Sequence, residues 1–344
     1  MEIKEIKIVD ENWTNFLQKN EHLIFHIFPY KQFIEDAFGC HYRMLSIIDD
    51  GAIKAIFPFV EVRSRLFGNK IISSAYIEYG GFAGDKQYVN PLLDFMAQKY
   101  KQNNEYMEIR GGLEKFDLIL STRLIKKDLY KRFVLPLHDE QAVWNNIQHS
   151  KRKAINKALK EAEVKEVPLA ELPSLYLLYC QNMRRFGSPP YSKKYFESFY
   201  QHLVPKGFGK IYGAYVQGKL VSALLGFCYH DRVHILIAVS DPQYQQYRPN
   251  DAVHWTFIRW ACQNNYRWFD FGRVREDSGQ FEYKQKWGPT LHDLPSYFLL
   301  WNIKDIPVME PSSARYKAMV ALWRKMPLGI TKALGMKLRK GLGI

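Results

Sequence analysis

The feature that most constrains this chain is an order of elements that occurs twice. In the first half, His41 to Ile48 and Ala52 to Val60 alternate apolar and polar residues as half-buried strands do, and Asp49-Asp50-Gly51 supplies the turn between them. Ile71 to Ile77 reads as a third strand. Pro91 marks the start of a helix with Leu92, Leu93 and Met96 on one face, and Tyr106 to Arg110 reads as a strand closed by Gly111-Gly112. The second half repeats this order. Lys210 to Val216 and Lys219 to Tyr229 flank Gln217-Gly218, Arg232 to Ser240 is the third strand, Asp251 is expected to cap a helix reaching about Gln263, and Arg267 to Phe271 closes the unit. The turn glycines 51 and 218 lie 167 positions apart and the closing strands, beginning near 106 and 267, lie 161 apart. Two independent offsets that nearly agree point to a duplicated unit, and so to an α/β (α+β mixed-sheet) chain of two tandem domains.

The rest of the chain fills in around the repeats. Asn12 to Lys19 and Lys31 to Phe38 read as short helices ahead of the first. Between the repeats, Asp139 to about Glu163 reads as one helix, with Val143, Trp144, Ile147 and Ile155 at helical spacing and Lys151, Arg152, Lys153, Lys157 and Lys160 around its second half. That basic run is either a solvated face or the flank of an anion site. Pro173 to Phe186 forms a further helix stopped by Gly187 and Pro189-Pro190, and Ser192 can cap a helix from Lys193 to Leu203. The expected organisation is a first domain at 1–138, a helical connector and entry helices at 139–208, a second domain core at 209–310 and a basic helical tail at 311–344.

Composition narrows the functional classes. With 344 residues, of which 47% are hydrophobic, there is material for two cores. No run approaches ~18 consecutive apolar residues, and the opening MEIKEIKIVDENW lacks an apolar signal core, so the expectation is a cytoplasmic protein without a membrane span. Cys40, Cys180, Cys228 and Cys262 are far apart and lack ligand spacing, which suits reduced core thiols rather than a metal or disulfide role. The net charge is +14, yet eight cations and no acidic residue fall between Pro311 and Ile344, leaving about +6 elsewhere. The tail therefore needs its own explanation.

Trp268 to Gly288, WFDFGRVREDSGQFEYKQKWG, is where chemistry concentrates. It opens as a strand and then interleaves Arg273, Arg275, Glu276, Asp277, Glu282, Tyr283, Lys284 and Lys286 with Phe281 and Trp287, a mixture that suits a polar cleft wall anchored on a sheet. Together with Met183-Arg184-Arg185-Phe186-Gly187-Ser188-Pro189-Pro190-Tyr191, Tyr247-Arg248-Pro249-Asn250-Asp251, Phe269-Asp270-Phe271-Gly272-Arg273, and Asp277-Ser278-Gly279 through Tyr283-Lys284-Gln285-Lys286-Trp287-Gly288, it resembles the FemAB-like branch of the GNAT (acyl-coenzyme A N-acyltransferase) superfamily. The duplicated order resembles two tandem GNAT folds; the motifs cover the second half closely and the first half by pattern alone.

That resemblance implies transfer of an acyl or aminoacyl group onto an amine, or less often a hydroxyl, of a cell-envelope or polysaccharide precursor, with aminoacyl-tRNA or acyl-coenzyme A as donor and no cofactor or metal required. Such transfer needs a deprotonated acceptor, positive charge or N–H groups for the developing oxyanion, and alignment of both substrates. A conventional GNAT enzyme holds the donor pyrophosphate on the N–H groups of a Gly-rich loop opening the helix after the third strand. Here that loop, SDPQYQQYRPNDAVHW from Ser240 to Trp255, contains no glycine. Tyr247, Arg248 and Asn250 remain to contact a phosphate, and coenzyme A in the usual pose is not expected.

Individual residues carry two readings each. Lys284 precedes Trp287-Gly288 as the family's lysine does, which implies substrate-phosphate binding or charge stabilisation; otherwise it is a surface lysine beside an aromatic anchor. Arg273 either binds an anion or pairs with Asp277 or Glu276. Asp270 points opposite its flanking Phe residues and is a general base or a carboxylate that orients Arg or Lys. Tyr283 and Tyr79 hydrogen-bond the acceptor or belong to the core. Arg185, just before the Gly187 helix stop, reaches the same cleft or stays at the surface, while His234 and His254 read as packing residues.

The tail combines its cations with Met319, Leu322, Trp323, Ile330, Leu334 and other apolar residues at near-helical spacing, interrupted at Pro327 and Gly329. It lies on an anionic membrane surface, peripherally at the inner face, or packs on the second domain. Two rival functions stay open at this point: an acyl-coenzyme A-dependent N-acyltransferase with an altered donor site, and a non-catalytic pair binding nucleic acid or a membrane assembly.

Overall fold

Both hairpin turns take the geometry their residues favour. Asp50 and Gly51 have φ of 49° and 73°, and Gln217 and Gly218 have 52° and 76°, the paired positive values of a tight turn that matches strand twist. These turns open the two repeats in a computed structural model, which describes residues 1–307 and 313–343. The chain divides into two units: Met1–Leu129 with Leu294–Glu310 and Lys337–Ile344, and Tyr130–Asp293 with Pro311–Met336.

In the first unit, strands β1 (Glu2–Glu5), β2 (Tyr42–Asp49), β3 (Ala52–Val62), β4 (Lys70–Ile72), β6 (Tyr106–Arg110) and β13 (Thr290–Leu300) lie side by side in that order, with the two-residue β5 (Ala83–Gly84) paired on β3. β4 and β6 are parallel and the other pairs antiparallel. Helices α1 (Glu11–Lys19), α2 (Phe28–Phe38) and α3 (Val89–Tyr100) bury apolar faces in this unit, and α4 (Asp117–Arg123) buries Leu120. The third strand ends at Ile72 instead of running to Ile77. Ser74 and Tyr76 take φ of 47° and 72°, which break a ladder, and Tyr76 donates its N–H to the Gly343 carbonyl at 3.3 Å.

In the second unit the strand order is β7 (Ile125–Pro136), β12 (Trp268–Val274), β11 (Arg232–Ser240), β10 (Lys219–Tyr229), β9 (Gly209–Val216) and β8 (Glu163–Glu166), with β11 and β12 parallel. The helices are α5 (Glu140–Asn146), α6 (His149–Glu161), α7 (Leu172–Phe186), α8 (Lys193–His202), α9 (Pro249–Gln263), α10 (Gly279–Gln285), α11 (Ala314–Lys325) and α12 (Leu328–Leu342), the last continuing into residues of the first unit. Each unit thus shows the β-β-β-α-β order that the sequence repeat predicts, and in each the last strand pairs parallel to the third.

Three local readings need correction. The expected helix from Asp139 to Glu163 is two helices, because Ile147 turns extended and buries its side chain while Gln148 donates its N–H to Lys286 O at 3.1 Å. Its last residue, Glu163, opens β8. Asp251 does not cap α9: Arg248, at φ 58°, holds the N-cap, Pro249 is the first helical residue, and Asp251 faces inward two positions later. Strands β1, β7, β8 and β13 carry too many charges, or are too short, to read as strands by alternation.

Candidate functional site

Lys151 lies four residues before Ile155 and seven before Ala158 on α6, so the helix turns it inward with these two and leaves it 6% exposed. A buried ammonium needs a counter-charge. It finds Asp251, 2% exposed in the first turn of α9, with Lys151 Nζ donating to Asp251 Oδ1 at 2.8 Å. The Tyr283 hydroxyl, from α10, donates to the same oxygen at 3.0 Å. Lys151 Nζ also stands 3.7 Å from the centroid of the Tyr283 ring and 5.2 Å from that of Trp287, a fully buried side chain. One turn along α9, His254 Nδ1 lies 2.7 Å from Asn250 O and 3.3 Å from the Tyr283 hydroxyl, its ring among Phe271, Tyr283 and Trp287.

The electrostatics follow from this burial. Loss of water lowers the Lys151 ammonium and outweighs the pull of Asp251; Lys286 and Arg248 nearby push it the same way. Burial carries His254 down to about 4, so the imidazole is neutral at pH 7 and its Nδ1–H donates to Asn250 O. Tyr283 is raised well above a free phenol, first by burial and then by the Asp251 charge, which keeps it a hydrogen-bond donor.

The N-terminus of α9 is thereby filled from within. Pro249 has no N–H, and the N–H groups of Asp251 and Ala252 both bond to Arg248 O, at 2.9 and 3.4 Å. The Asp251 carboxylate occupies the positive end of the helix dipole that a phosphate would otherwise use. Before it, the stretch Pro242–Tyr247 coils into a 3-10 helix capped by Asp241, whose carboxylate accepts from Gln243 N at 3.1 Å. What this region offers an anion is side-chain charge: Arg248 and Lys286 are both exposed.

A second constellation surrounds a bulge in β12. The register against β7 slips between Asp270 and Arg273, and Gly272 takes φ 72°. Asp270, completely buried, accepts from Gly272 N at 2.9 Å and has Arg132 and Arg232 each 3.5 Å from its other oxygen. Lys284 Nζ, half-buried, donates to Gly272 O at 3.1 Å and to Arg273 O at 3.0 Å. The bulge is held by a carboxylate on one carbonyl-free side and by a cation on the two carbonyls that it exposes.

The residues singled out from sequence separate accordingly. Lys284, Asp270 and Arg273 gather at the bulge, Arg273 with its guanidinium 4.9 Å from the Tyr130 ring. Tyr283 joins the Lys151–Asp251 pair. Asp277 takes Arg275 as its partner, at 3.1 Å through both nitrogens, in place of the pairing with Arg273 considered above, and that contact lowers its carboxyl. Arg248 and the half-buried Tyr247 sit at the mouth of α9. Arg185 donates to Asn182 Oδ1 at 2.8 Å; the same oxygen accepts from Ser240 N at 3.2 Å, and Ser240 Oγ accepts from Asn250 Nδ2 at 3.1 Å. Tyr79 is a buried residue of the first unit and is not part of these clusters. Lys151 was placed by sequence only within a basic run, and Asp251 only as a cap; the 151–155–158 spacing, shared with Ile155 and Ala158, is the signal that marks Lys151 as inward-facing.

Among the described residues no three His, Cys, Asp or Glu side chains gather to hold a metal ion, and no helix is long and apolar enough to cross a membrane. Residues 148–285 match the family model described as Acetyltransferase (GNAT) domain, a span that includes Lys151, Asp251, His254, Asp270, Tyr283 and Lys284. No curated protein matches the chain in sequence. Among solved structures, that of FemX is similar over 87% of this chain and 98% of its own, at 14% identity and a TM-score of 0.68. L-PGS from Bacillus licheniformis is similar over 90% and 95%, at 12% identity and a TM-score of 0.56. A tandem GNAT protein from the clavulanic acid biosynthesis pathway is similar over 76% and 84%, at 10% identity and a TM-score of 0.50. At such identities the likeness establishes the fold.

Proposed function

We propose, from the premise that this chain is an acyltransferase of the GNAT superfamily with a FemAB-like tandem fold, that it moves an aminoacyl or acyl group onto an amine, or less often a hydroxyl, of a cell-envelope or exopolysaccharide precursor. The observation that carries the choice of donor is the N-terminus of α9. With the Asp251 carboxylate in its first turn, and the N–H groups of Asp251 and Ala252 bonded to Arg248 O, it lacks the open N–H cradle that a coenzyme A pyrophosphate uses. A charged tRNA, gripped through exposed side chains such as Arg248 and Lys286, does not need that cradle. The FemX and L-PGS likenesses suit an envelope component as acceptor, and a lipid-linked one would be met at the inner face of the membrane.

In this reading Lys284 supplies positive charge to the tetrahedral oxyanion from the β12 bulge, where two carbonyls fix its ammonium. Asp270 acts by holding Arg132 and Arg232, since a fully buried carboxylate between two guanidiniums has no path to an acceptor proton. Tyr283, with its raised phenol, donates and does not abstract. Arg273, Arg185, Asp277, Tyr247 and Arg248 are the proposed substrate contacts.

The test is transfer of label by the purified full chain and by Lys284→Ala, from acetyl-coenzyme A or from a charged-tRNA pool, onto a lipid-linked precursor extract. The expected result is transfer from the tRNA pool that falls by 100-fold or more, on the order of what loss of one oxyanion partner costs. Transfer from acetyl-coenzyme A at a higher rate, or full activity in Lys284→Ala, would overturn the assignment.

A further inference from the structure

We propose that the outward surface of α11 and the first turns of α12 docks on an anionic lipid bilayer. Such docking follows from the surface alone and does not depend on the transfer chemistry; a lipid-linked acceptor would give it a use.

The inward side of this segment is fixed to the second unit. Trp323 is buried, Val320 packs directly against Gly187 at the end of α7, Gly335 packs against Pro190, Thr331 is 1% exposed, and Lys332 lies 5.5 Å from the Tyr176 ring. The outward side is therefore a presented surface and not the accidental face of a loose tail. Away from these contacts Met319 and Leu322 on α11 and Ile330, Leu334 and Met336 on α12 are between 43% and 64% exposed. Five large aliphatic residues left in water within eighteen positions exceed the scattered singles that a monomer surface normally carries.

Charge identifies the occupant. From Ser313 to Gly343 there is no acidic residue, and Lys317, Arg324 and Lys325 are exposed on α11 beside these apolar residues. Leu322 shares its helix face with Ala318 and Lys325, and Ile330 and Leu334 lie one turn apart on α12. A phosphate-rich nucleic acid answers the cations and leaves Leu, Ile and Met in water; a neutral protein groove answers the aliphatic groups and leaves the cations unmatched. An anionic bilayer answers both, taking the aliphatic groups at the acyl boundary and the cations at the headgroups. Pro327 divides the segment into two helices, neither of which spans a membrane, so the geometry is one of lying on the surface.

The experiment is co-sedimentation of the full chain with vesicles of phosphatidylcholine alone and of phosphatidylcholine with phosphatidylglycerol. Binding is expected to the second only and to weaken with salt. The triple variant K317Q/R324Q/K325Q should bind about a hundredfold more weakly, since each cation contributes roughly fivefold near an anionic surface. The variant L322S/L334S, which alters only exposed positions, should lose binding at high salt while keeping its thermal transition. No binding to the anionic vesicles, equal binding by both variants, or tight binding to RNA with none to vesicles would each overturn the proposal.

Discussion

The buried pair of Lys151 and Asp251 is the contact on which the second unit's site most directly depends, and its removal has a calculable signature. Both groups are nearly inaccessible, at 6% and 2% exposure, and the carboxylate oxygen that receives Lys151 also receives Tyr283. Lys151→Met leaves an anion with only the tyrosine hydroxyl, and Asp251→Leu leaves an ammonium against the faces of Tyr283 and Trp287. Breaking a buried pair from either side costs about 3–5 kcal/mol, because the surviving charge stays desolvated. The double variant Lys151→Met/Asp251→Leu strands no charge. Its remaining losses are a hydrogen-bond acceptor for Tyr283, about 1 kcal/mol, and one cation–π contact of similar size. The double should therefore be more stable than either single, at a net cost of roughly 2 kcal/mol. Urea unfolding followed by tryptophan fluorescence reads this directly, since Trp287 lies beside Lys151. In a thermal scan each single should lower the transition by about 8–15 °C. Singles within ~1 kcal/mol of the parent, or a double whose cost equals the sum of the two, would refute the reasoning, because the pair would then be neither buried nor coupled.

The same cluster makes the protein acid-sensitive in a defined window. His254 binds a proton in the unfolded chain near its ordinary value of 6.5 but, buried, only at about 4, so unfolding takes up a proton between those values and stability falls as pH drops through them. At pH 5 the loss is about 2 kcal/mol relative to neutrality; in His254→Gln the slope of stability between pH 6.5 and 5 should flatten by that amount, and an unchanged slope would show that the imidazole is not shielded. At the end of α7, Gly187 has φ +75° and an added Cβ would overlap the Val320 side chain. Gly187→Ala should cost about 1–3 kcal/mol by chemical denaturation, and adding Val320→Ala should relieve the overlap while leaving the backbone strain of roughly 1 kcal/mol.

Periodicity and turn chemistry reach far in this chain because they are local. A strand that buries one face must alternate, and a two-residue hairpin needs residues that tolerate positive φ, so Asp50-Gly51 and Gln217-Gly218 announce both repeats. The same local logic stops α7 at Gly187. It fails where the deciding contact is distant in sequence. The third strand of the first unit ends at Ile72 because the backbone of Tyr76 is satisfied by Gly343, and the helix expected from Asp139 breaks at Ile147 where Gln148 meets Lys286. β7 hides behind its own lysines and arginines until β12 pairs with its buried half.

The site divides in the same way. Residue types alone marked Asp270, Arg273, Tyr283 and Lys284 as a chemically loaded stretch; the expectation of an altered donor site came from setting the glycine-free loop before α9 beside the family resemblance. Only the tertiary structure decided which of them touch. Asp251 moved from an expected cap to the centre of a buried cluster because a lysine a hundred positions earlier requires its charge. Lys284 and Asp270 both hold one bulge because it exposes the Gly272 and Arg273 carbonyls to the first and the Gly272 N–H to the second. Composition and spacing therefore marked the repeated strands and helices and the stretch where charge concentrates; where elements break, which charged strands join the sheet and how buried charges pair, which depends on where low dielectric and unsatisfied backbone groups coincide, were settled by packing across the fold.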